Sequence, residues 1–413
     1  MLKIRINNIS SFLHQKINAL TFLLYRKLYI PFRAHQIRKK EKINVVFLLY
    51  SLGAWKTETL YLAMQKHPRF NPILIISKFR IDDRENLRSY LTKKHYVFHE
   101  ISSVTKGLWN EFRPDIIFYQ KHYTDSLISL LNNLRSLACY TGYGFHSTTD
   151  ENSFKSDFIY NAWQVYYENK TLCDYYSSRI ERNIHNSYAT GIPLMDELMT
   201  PRDSLKDQWK DDHIKKRIIY APHHSIDPEN WWQSSTFLET GDIILQLAEK
   251  YSDKIQWAFK PHPVLRSKLE KIWGKERTKN YYDKWSNMDW SQYEDGAYLS
   301  LFKHSDAMIH DCGSFIAEYH ATGNPVMYLL REEKPSNSWN SVVTEAFGLH
   351  YFGRTKQEIE TFIQNVINNI DSKKNDRIRF FAKNLTPPNN NSACENIINC
   401  ILYKNFADKF ISK

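Results

Sequence analysis

Several imidazoles in this 413-residue chain stand where chemistry could be done. Lys260-Pro261-His262-Pro263 follows an apolar run, and a proline on each side stiffens the loop that carries His262. Imidazole can donate to a phosphate oxygen as a cation or pass a proton when neutral, and rigid placement suits either task. One run earlier, Tyr220-Ala221-Pro222-His223-His224-Ser225 repeats the arrangement, and contact with a phosphate or an acceptor is the expected use of His223. Adjacent side chains are expected to point apart there, and no further Cys or carboxylate cluster completes a tetrahedral set, so no metal site is expected. In the first half, Tyr140-Thr141-Gly142-Tyr143-Gly144-Phe145-His146-Ser147 puts small residues beside His146, which lets a ligand near the backbone. The alternatives are a histidine that merely fills a turn at His262, a solvated loop at His223 and a loop that simply turns at His146.

A second feature is Ser305-Asp306-Ala307-Met308-Ile309-His310-Asp311-Cys312-Gly313-Ser314, which continues to Glu318. It reads as a strand, a tight turn and a helix over Phe315 to Thr322, with Ser314 as the expected N-cap and Gly323-Asn324-Pro325 as the stop. In an open parallel sheet such a turn lies at the carboxyl edge, where ligands bind. The free N–H groups of the helix start there offer a phosphate site, and Gly313 would let an anion reach them.

The elements that must position these groups are short apolar runs alternating with amphipathic stretches, the sign of βα units. Strands are expected at Asn44 to Tyr50, Pro72 to Ser77, Asp115 to Gln120, Leu137 to Thr141, Arg217 to Ala221, Ile255 to Lys260, Asp306 to His310 and Val326 to Leu330. Helices are expected at Trp55 to Lys66, Arg84 to Lys94, Phe237 to Lys250 and Ser314 to Thr322. Two tandem series imply two doubly wound α/β domains, over 41–200 and 201–413, with a hinge between Gly191 and Lys216.

Residues 1–40 stand apart. Five lysines and four arginines with no acid account for +9 of the formal +11 net charge, and apolar residues are interspersed among them. A basic, apolar, acid-free segment suits an anionic membrane surface, and the alternative is a helix packed on its own protein. No apolar run there is long enough to span a bilayer. With the body nearly neutral, nucleic acid is not an expected partner. Five cysteines without a C-x-x-C pair argue against a disulfide framework or structural zinc. Twelve glycines, about half of average usage, and the absence of a P-loop motif exclude glycine-rich phosphate loops. No D-x-D triplet appears for a metal-dependent nucleotide-sugar enzyme, so charge on a phosphate must be met by helix N-termini, imidazoles and Lys/Arg.

In order along the chain, Thr190-Gly191-Ile192-Pro193-Leu194-Met195-Asp196, Ile219-Tyr220-Ala221-Pro222, Lys260-Pro261-His262-Pro263, the Ser305 to Glu318 stretch and Asn324-Pro325 to Leu329 resemble motifs of the CDP-glycerol glycerophosphotransferase family of teichoic-acid synthesis. The resemblance is best from Thr190 to Leu330. Cys312-Gly313 replaces the family's Tyr-Ser, and its Trp-His-Gly has no literal copy, with Tyr143-Gly144-Phe145-His146 in the corresponding region.

The resemblance implies a GT-B-like architecture of two facing Rossmann-like domains. It also implies transfer of glycerol phosphate, or a similar polyol phosphate, from a CDP-activated donor to a hydroxyl of a lipid-linked glycan, without a cofactor or metal. His262 would then stabilise charge on the phosphoryl and leaving groups. Gly313, Ser314, Asp311, Glu318 and Lys260 would form the donor site, with Glu318 on the ribose. His146 would be the base, with His223 as its substitute. The expected location is the cytoplasmic face of the cell membrane, as a peripheral protein. The alternatives are a metal-independent GT-B glycosyltransferase using a nucleotide sugar, and a non-catalytic polysaccharide assembly protein.

Overall fold

The computed structural model describes residues 23–77, 84–101, 111–119, 136–142, 144–147, 149, 156–180, 184–210, 214–227, 235–296, 298–331 and 339–411. Strands that are apolar along their whole length need cover on both faces, which parallel sheets with crossover helices provide. The first sheet contains β1 (Ile43–Leu49), β2 (Phe70–Ser77), β3 (Phe98–Ile101), β4 (Ile116–Tyr119), β5 (Leu137–Thr141), β6 (Gln164–Tyr166) and β7 (Ser187–Tyr188). The second contains β8 (Lys216–Ala221), β9 (Ile255–Phe259), β10 (Ser291–Tyr293), β11 (Ala307–His310), β12 (Val326–Leu329) and β13 (Tyr351–Gly353).

Strand order is β3-β2-β1-β4-β5-β6-β7 in one sheet and β10-β9-β8-β11-β12-β13 in the other. Neighbouring strands are parallel throughout, including the central pairs β1/β4 and β8/β11. Each sheet thus has the doubly wound order in which the chain reverses its direction of travel beside the first strand. Ligand crevices in such sheets open at the carboxyl ends of the strands flanking that reversal.

Two compact units result. One comprises Met1–His146, Asp150–Asp196 and Pro387–Lys413, and the other Ser147–Thr149 with Glu197–Thr386. The chain passes from one to the other at Asp196–Glu197 and returns at Thr386–Pro387. The end of the chain, expected with the second domain, instead belongs to the first. Helix Ala393–Leu402 buries Ile397, Cys400 and Ile401 in the same core as Val45, Phe47 and Leu74.

The T-G-x-P-x-x-D motif explains that docking. Gly191 has φ +81°, and a Cβ there would lie 2.9 Å from the Ala393 Cβ. Asp196 accepts the N–H groups of Ala393 and Cys394 at 2.7 and 2.8 Å, capping the helix from across the chain. Asn396 Nδ2 donates to the Thr190 carbonyl.

The N-terminal segment also packs on the first unit over its described part; residues 1–22 lie outside the described residues. A π turn at Tyr25–Tyr29 leads into helix Ile30–Lys39, which buries Tyr25, Ile30, Ala34 and Ile37. Its cations are partly consumed by the fold. Arg33 and Lys40 both pair with the buried Asp115, Arg26 donates to the Ala162 carbonyl, and Arg38 donates to the Ile401 carbonyl. Leu23, Leu24, Leu28 and Phe32 remain exposed, with Lys27 among them. No helix among the described residues is long and apolar enough to cross a membrane.

Candidate active site

In the second unit the loops after β8, β9 and β11 meet at the carboxyl edge. Pro222 ends β8, and its carbonyl accepts the His262 N–H at 3.0 Å, so the two histidine-bearing loops are bonded to each other. Ring centroids lie 4.3 Å apart for His223 and His224, 4.1 Å for His224 and His262, and 5.2 Å for His223 and His262. The adjacent imidazoles do not diverge as expected. The backbone turn, held by Ser225, brings both beside His262.

Burial is the first cause that lowers the proton affinity of all three, and neighbouring cations and imidazoles add to it. His223 falls to about 3, His262 to about 4, and His224 is also lowered, with Lys268 contributing in each case. Each is therefore neutral at pH 7. Lys268 itself pairs with Asp227.

The three rings each offer a nitrogen within 4.8 Å of the others, a spacing a transition-metal ion could use. Their hydrogen bonds point to another chemistry. His262 Nδ1 accepts the Val264 N–H at 3.2 Å, and His223 Nδ1 accepts from Ser225 N at 3.3 Å and faces its Oγ at 2.9 Å. A neutral imidazole whose Nδ1 accepts carries its proton on Nε2. Both Nε2 atoms are then donors, suited to an anion rather than to a cation.

Asp311 sets the floor of this cluster. Its carboxylate is fully buried and accepts from the backbone N–H of His223 (2.6 Å), the backbone N–H of Thr236 (2.7 Å), Ser235 Oγ (2.9 Å) and Thr236 Oγ1 (3.3 Å). Burial raises its pKa to about 6, against the pull of these donors.

The turn that follows is open. A Cβ on Gly313 would meet no atom within 4 Å, and Ser314 is exposed. The expected N-cap is absent: Ser314 is already helical (φ −63°, ψ −32°) and its side chain caps nothing. The helix is also shorter than expected, with α-helix only at Phe315–Glu318 and a 3-10 turn at Tyr319–Thr322. Cys312 is buried, which pushes its thiol up to about 12.

Beneath the turn, His350 Nδ1 donates to the Ala346 carbonyl (3.0 Å), so its Nε2 accepts from His310 Nε2 (3.1 Å), and His310 Nδ1 accepts the Cys312 N–H (3.2 Å). This relay of two neutral imidazoles, which no local sequence pattern signals, fixes the turn to helix Ser341–Gly348.

Glu318 and Lys260 are buried. Glu318 Oε2 accepts from Tyr298 OH at 2.6 Å, and Lys260 Nζ donates to the Gly296 carbonyl at 2.7 Å.

His146 stands in the first unit, on the loop after β5. Its ring Nδ1 lies 2.8 Å from Glu168 Oε1, and its backbone N–H donates to the same oxygen at 2.6 Å. Glu168 follows β6 and is fully buried. It was not among the expected site residues. The available signal was a lone acid directly after the apolar run Val165-Tyr166-Tyr167.

Residues 147–403, which contain the imidazole cluster, the open turn and Glu168, match the family described as CDP-glycerol:poly(glycerophosphate) glycerophosphotransferase. The chain belongs to this glycerophosphotransferase family. It is thus a transferase of the kind used in teichoic-acid synthesis, as the five ordered motifs imply. His146 lies one residue before the matched stretch.

Comparison with curated protein sequences gives no match. Among solved structures, the wall teichoic acid polymerase TagF, in a variant form, is similar at 15% identity and TM-score 0.55, covering 98% of each chain. A protein from Listeria monocytogenes assigned as a UDP-N-acetylglucosamine 2-epimerase aligns at 16% identity and TM-score 0.59, over 88% of this chain and 96% of that one. The corresponding epimerase from Neisseria meningitidis, bound to UDP-GlcNAc, aligns at 16% identity and TM-score 0.58, over 88% of this chain and 100% of its own. These likenesses concern the fold, two parallel-sheet α/β domains of GT-B-like type.

Proposed function

We propose that this glycerophosphotransferase moves glycerol phosphate, or a similar polyol phosphate, from a CDP-activated donor to a hydroxyl of a lipid-linked glycan, releasing CMP. The observation that carries this reading is the cluster of neutral imidazoles, His223 and His262 with the proton on Nε2, whose loop is tied through Asp311 to the open Gly313 turn at the reversal point of the second sheet. Phosphate oxygens are the natural occupants of a site rich in N–H donors, where the nearest acid, Asp311, is itself taken up by backbone and hydroxyl donors.

In this reading the acceptor oxygen forms a new bond to the β-phosphorus, and the bond from that phosphorus to the bridging oxygen breaks, its electron pair leaving with CMP. His262 and His223 donate to the phosphoryl and leaving-group oxygens. The backbone of Gly313 and Ser314 cradles the pyrophosphate, Glu318 faces the ribose, and Lys260 adds positive charge. Asp311 contributes by holding the His223 loop. The hydroxyl proton passes to His146.

The reading also assigns the protein to the periphery of the cell membrane, on its cytoplasmic face. It draws for this on the exposed Leu24, Leu28 and Phe32 stripe beside Lys27 and on the basic residues around it. To test the donor, the full chain is incubated with CDP-glycerol or UDP-sugars and a lipid-anchored glycerol phosphate oligomer, and nucleotide release is followed. CMP release is expected; UDP release in its place favours a nucleotide-sugar glycosyltransferase and overturns the proposal.

A further inference from the structure

The imidazole cluster of the second unit supplies hydrogen-bond donors but no charge, because its three rings are neutral at pH 7. A pyrophosphate brings negative charge to it, and the cation that the sequence singles out, Lys260, is buried and already donates to the Gly296 carbonyl. A second cation acts on the rings. Lys268 lies on helix Leu265–Ile272, whose first turn is fixed by His262. The His262 ring Nδ1 accepts the Val264 N–H, its carbonyl accepts the Leu265 N–H at 2.8 Å, and the Val264 carbonyl accepts the Lys268 N–H at 3.4 Å. The charge of Lys268 contributes to the lowered proton affinity of His223, His224 and His262 alike. Arg266, on the same helix, engages Glu270 and the Tyr282 ring instead.

Lys268 Nζ pairs with Asp227, which follows His224 on the loop after β8. The pair spans the two loops that the Pro222 carbonyl and the His262 N–H already join, so their contact does not depend on it. Its two ends differ in their access to water: the Lys268 side chain is 19% exposed and that of Asp227 is 41% exposed. A carboxylate so open to water stays solvated when its partner leaves, and an ion pair at the surface contributes little. An ammonium held against a phosphate oxygen in a half-buried site makes the stronger, charge-assisted bond. Exchange of Asp227 for phosphate is thus favourable, and in the empty site Asp227 neutralises the cation.

We propose that Lys268 is the exchangeable cation of the donor site: it is paired with Asp227 while the site is empty, and it moves to a pyrophosphate oxygen when the donor enters, as Asp227 turns out to water. The inference rests on the reading of the imidazole cluster as the pyrophosphate site. His223 and His262 then give directed hydrogen bonds, and Lys268 gives the charge that offsets what develops on the departing CMP. A pair that only braced the two loops would need both partners equally. A cation held in reserve needs only the lysine.

The test measures equilibrium binding of CDP-glycerol to the full chain by calorimetry, for the wild type, Lys268→Met, Lys268→Arg and Asp227→Asn, with circular dichroism as the check on folding. Lys268→Met should bind about 10- to 100-fold more weakly, the range for a hydrogen bond to a charged group, and Lys268→Arg should recover most of that loss. Asp227→Asn, which releases the ammonium, should bind up to about fivefold more tightly. Equal losses in Lys268→Met and Asp227→Asn would reveal a brace and overturn the proposal, as would wild-type affinity in Lys268→Met. Inorganic pyrophosphate, titrated into the same four proteins, separates this inference from the donor reading. Pyrophosphate binding that follows the expected order of variants, with no binding of CDP-glycerol, would keep the cation and reject the CDP-activated donor. Binding of neither ligand to the wild type would reject both.

Discussion

The Asp311 carboxylate accepts the backbone N–H of His223 at 2.6 Å, and so ties the turn after β11 to the loop after β8 at the reversal point of the second sheet. Its other oxygen draws in Ser235 and Thr236, at the start of helix Phe237–Lys250. One buried acid thus holds the imidazole loop, the helix start and its own turn in a single arrangement. The donor site would lose its geometry through this group without any contact between Asp311 and the donor.

Asp311→Asn preserves shape but offers an NH2 group to N–H and O–H donors. A buried donor left without an acceptor costs about 1–3 kcal/mol, so the variant should lose about 2 kcal/mol or more in urea unfolding. The KM for CDP-glycerol should rise with it. An Asn variant as stable as the wild type would show that the clamp is not under electrostatic load.

Neutral buried imidazoles make the second unit sensitive to acid. His223 and His310 are lowered to about 3, His320 to about 3 and His262 to about 4, whereas the unfolded chain protonates near the ordinary value of about 6.5. Between those limits the unfolded state binds more protons, so stability falls as pH drops from about 6.5 towards 4 and is constant above. Asp311, raised to about 6, acts with the opposite sign, but it is one group against several. Thermal unfolding at pH 5 should come well below that at pH 7. Equal midpoints at the two values would contradict the neutral state of the cluster.

His262→Ala removes a donor aimed at developing phosphoryl charge. Loss of one such donor typically costs about 100- to 1,000-fold in kcat, and that is the range expected here in CMP release. Because His262 is only partly buried, the fold should be retained, which circular dichroism checks. A variant with wild-type kcat would take His262 out of the chemical step.

Much of this was legible because the central strands are mostly apolar, and such runs declare themselves in sequence. β1, β2, β5, β8, β9, β11 and β12 fall within a residue or two of expectation, as does helix Phe237–Lys250. The edge strands, and β6 next to one of them, were not legible. Phe98–Ile101, Gln164–Tyr166, Ser187–Tyr188, Ser291–Tyr293 and Tyr351–Gly353 are two to four residues long and mix polar with apolar types, so pairing rather than pattern makes them strands. The site divides in the same way. Proline on both sides of His262 is a local signal. The bonds His223 to Asp311 and His146 to Glu168 join residues 88 and 22 positions apart, and no local spacing encodes them.

The exposed stripe on the N-terminal helix yields a prediction that separates membrane contact from folding. Leu28 and Phe32 are 63% and 60% exposed, so changing both to Asp should leave thermal stability unchanged. Burying each side chain in a lipid surface would contribute about 1.5–3 kcal/mol, so the double variant should bind vesicles of anionic lipid at least tenfold more weakly in a sedimentation assay. Equal binding by the variant would remove the stripe from the membrane reading. Wild-type protein that sediments equally with neutral vesicles would remove the role of charge.

Asp196 closes the T-G-x-P-x-x-D motif, and its bonds give that motif a structural purpose. The carboxylate accepts the N–H groups of Ala393 and Cys394, at the start of the helix that returns the end of the chain to the first unit. Loss of a capping side chain costs about 0.5–2 kcal/mol, and here two donors lose their acceptor together. Asp196→Ala should therefore lower stability by about 2 kcal/mol and speed amide exchange at Ala393 and Cys394, while the imidazole cluster of the second unit keeps its pH response. If instead CMP release were abolished with stability and exchange intact, Asp196 would belong to the chemistry and not to the clasp.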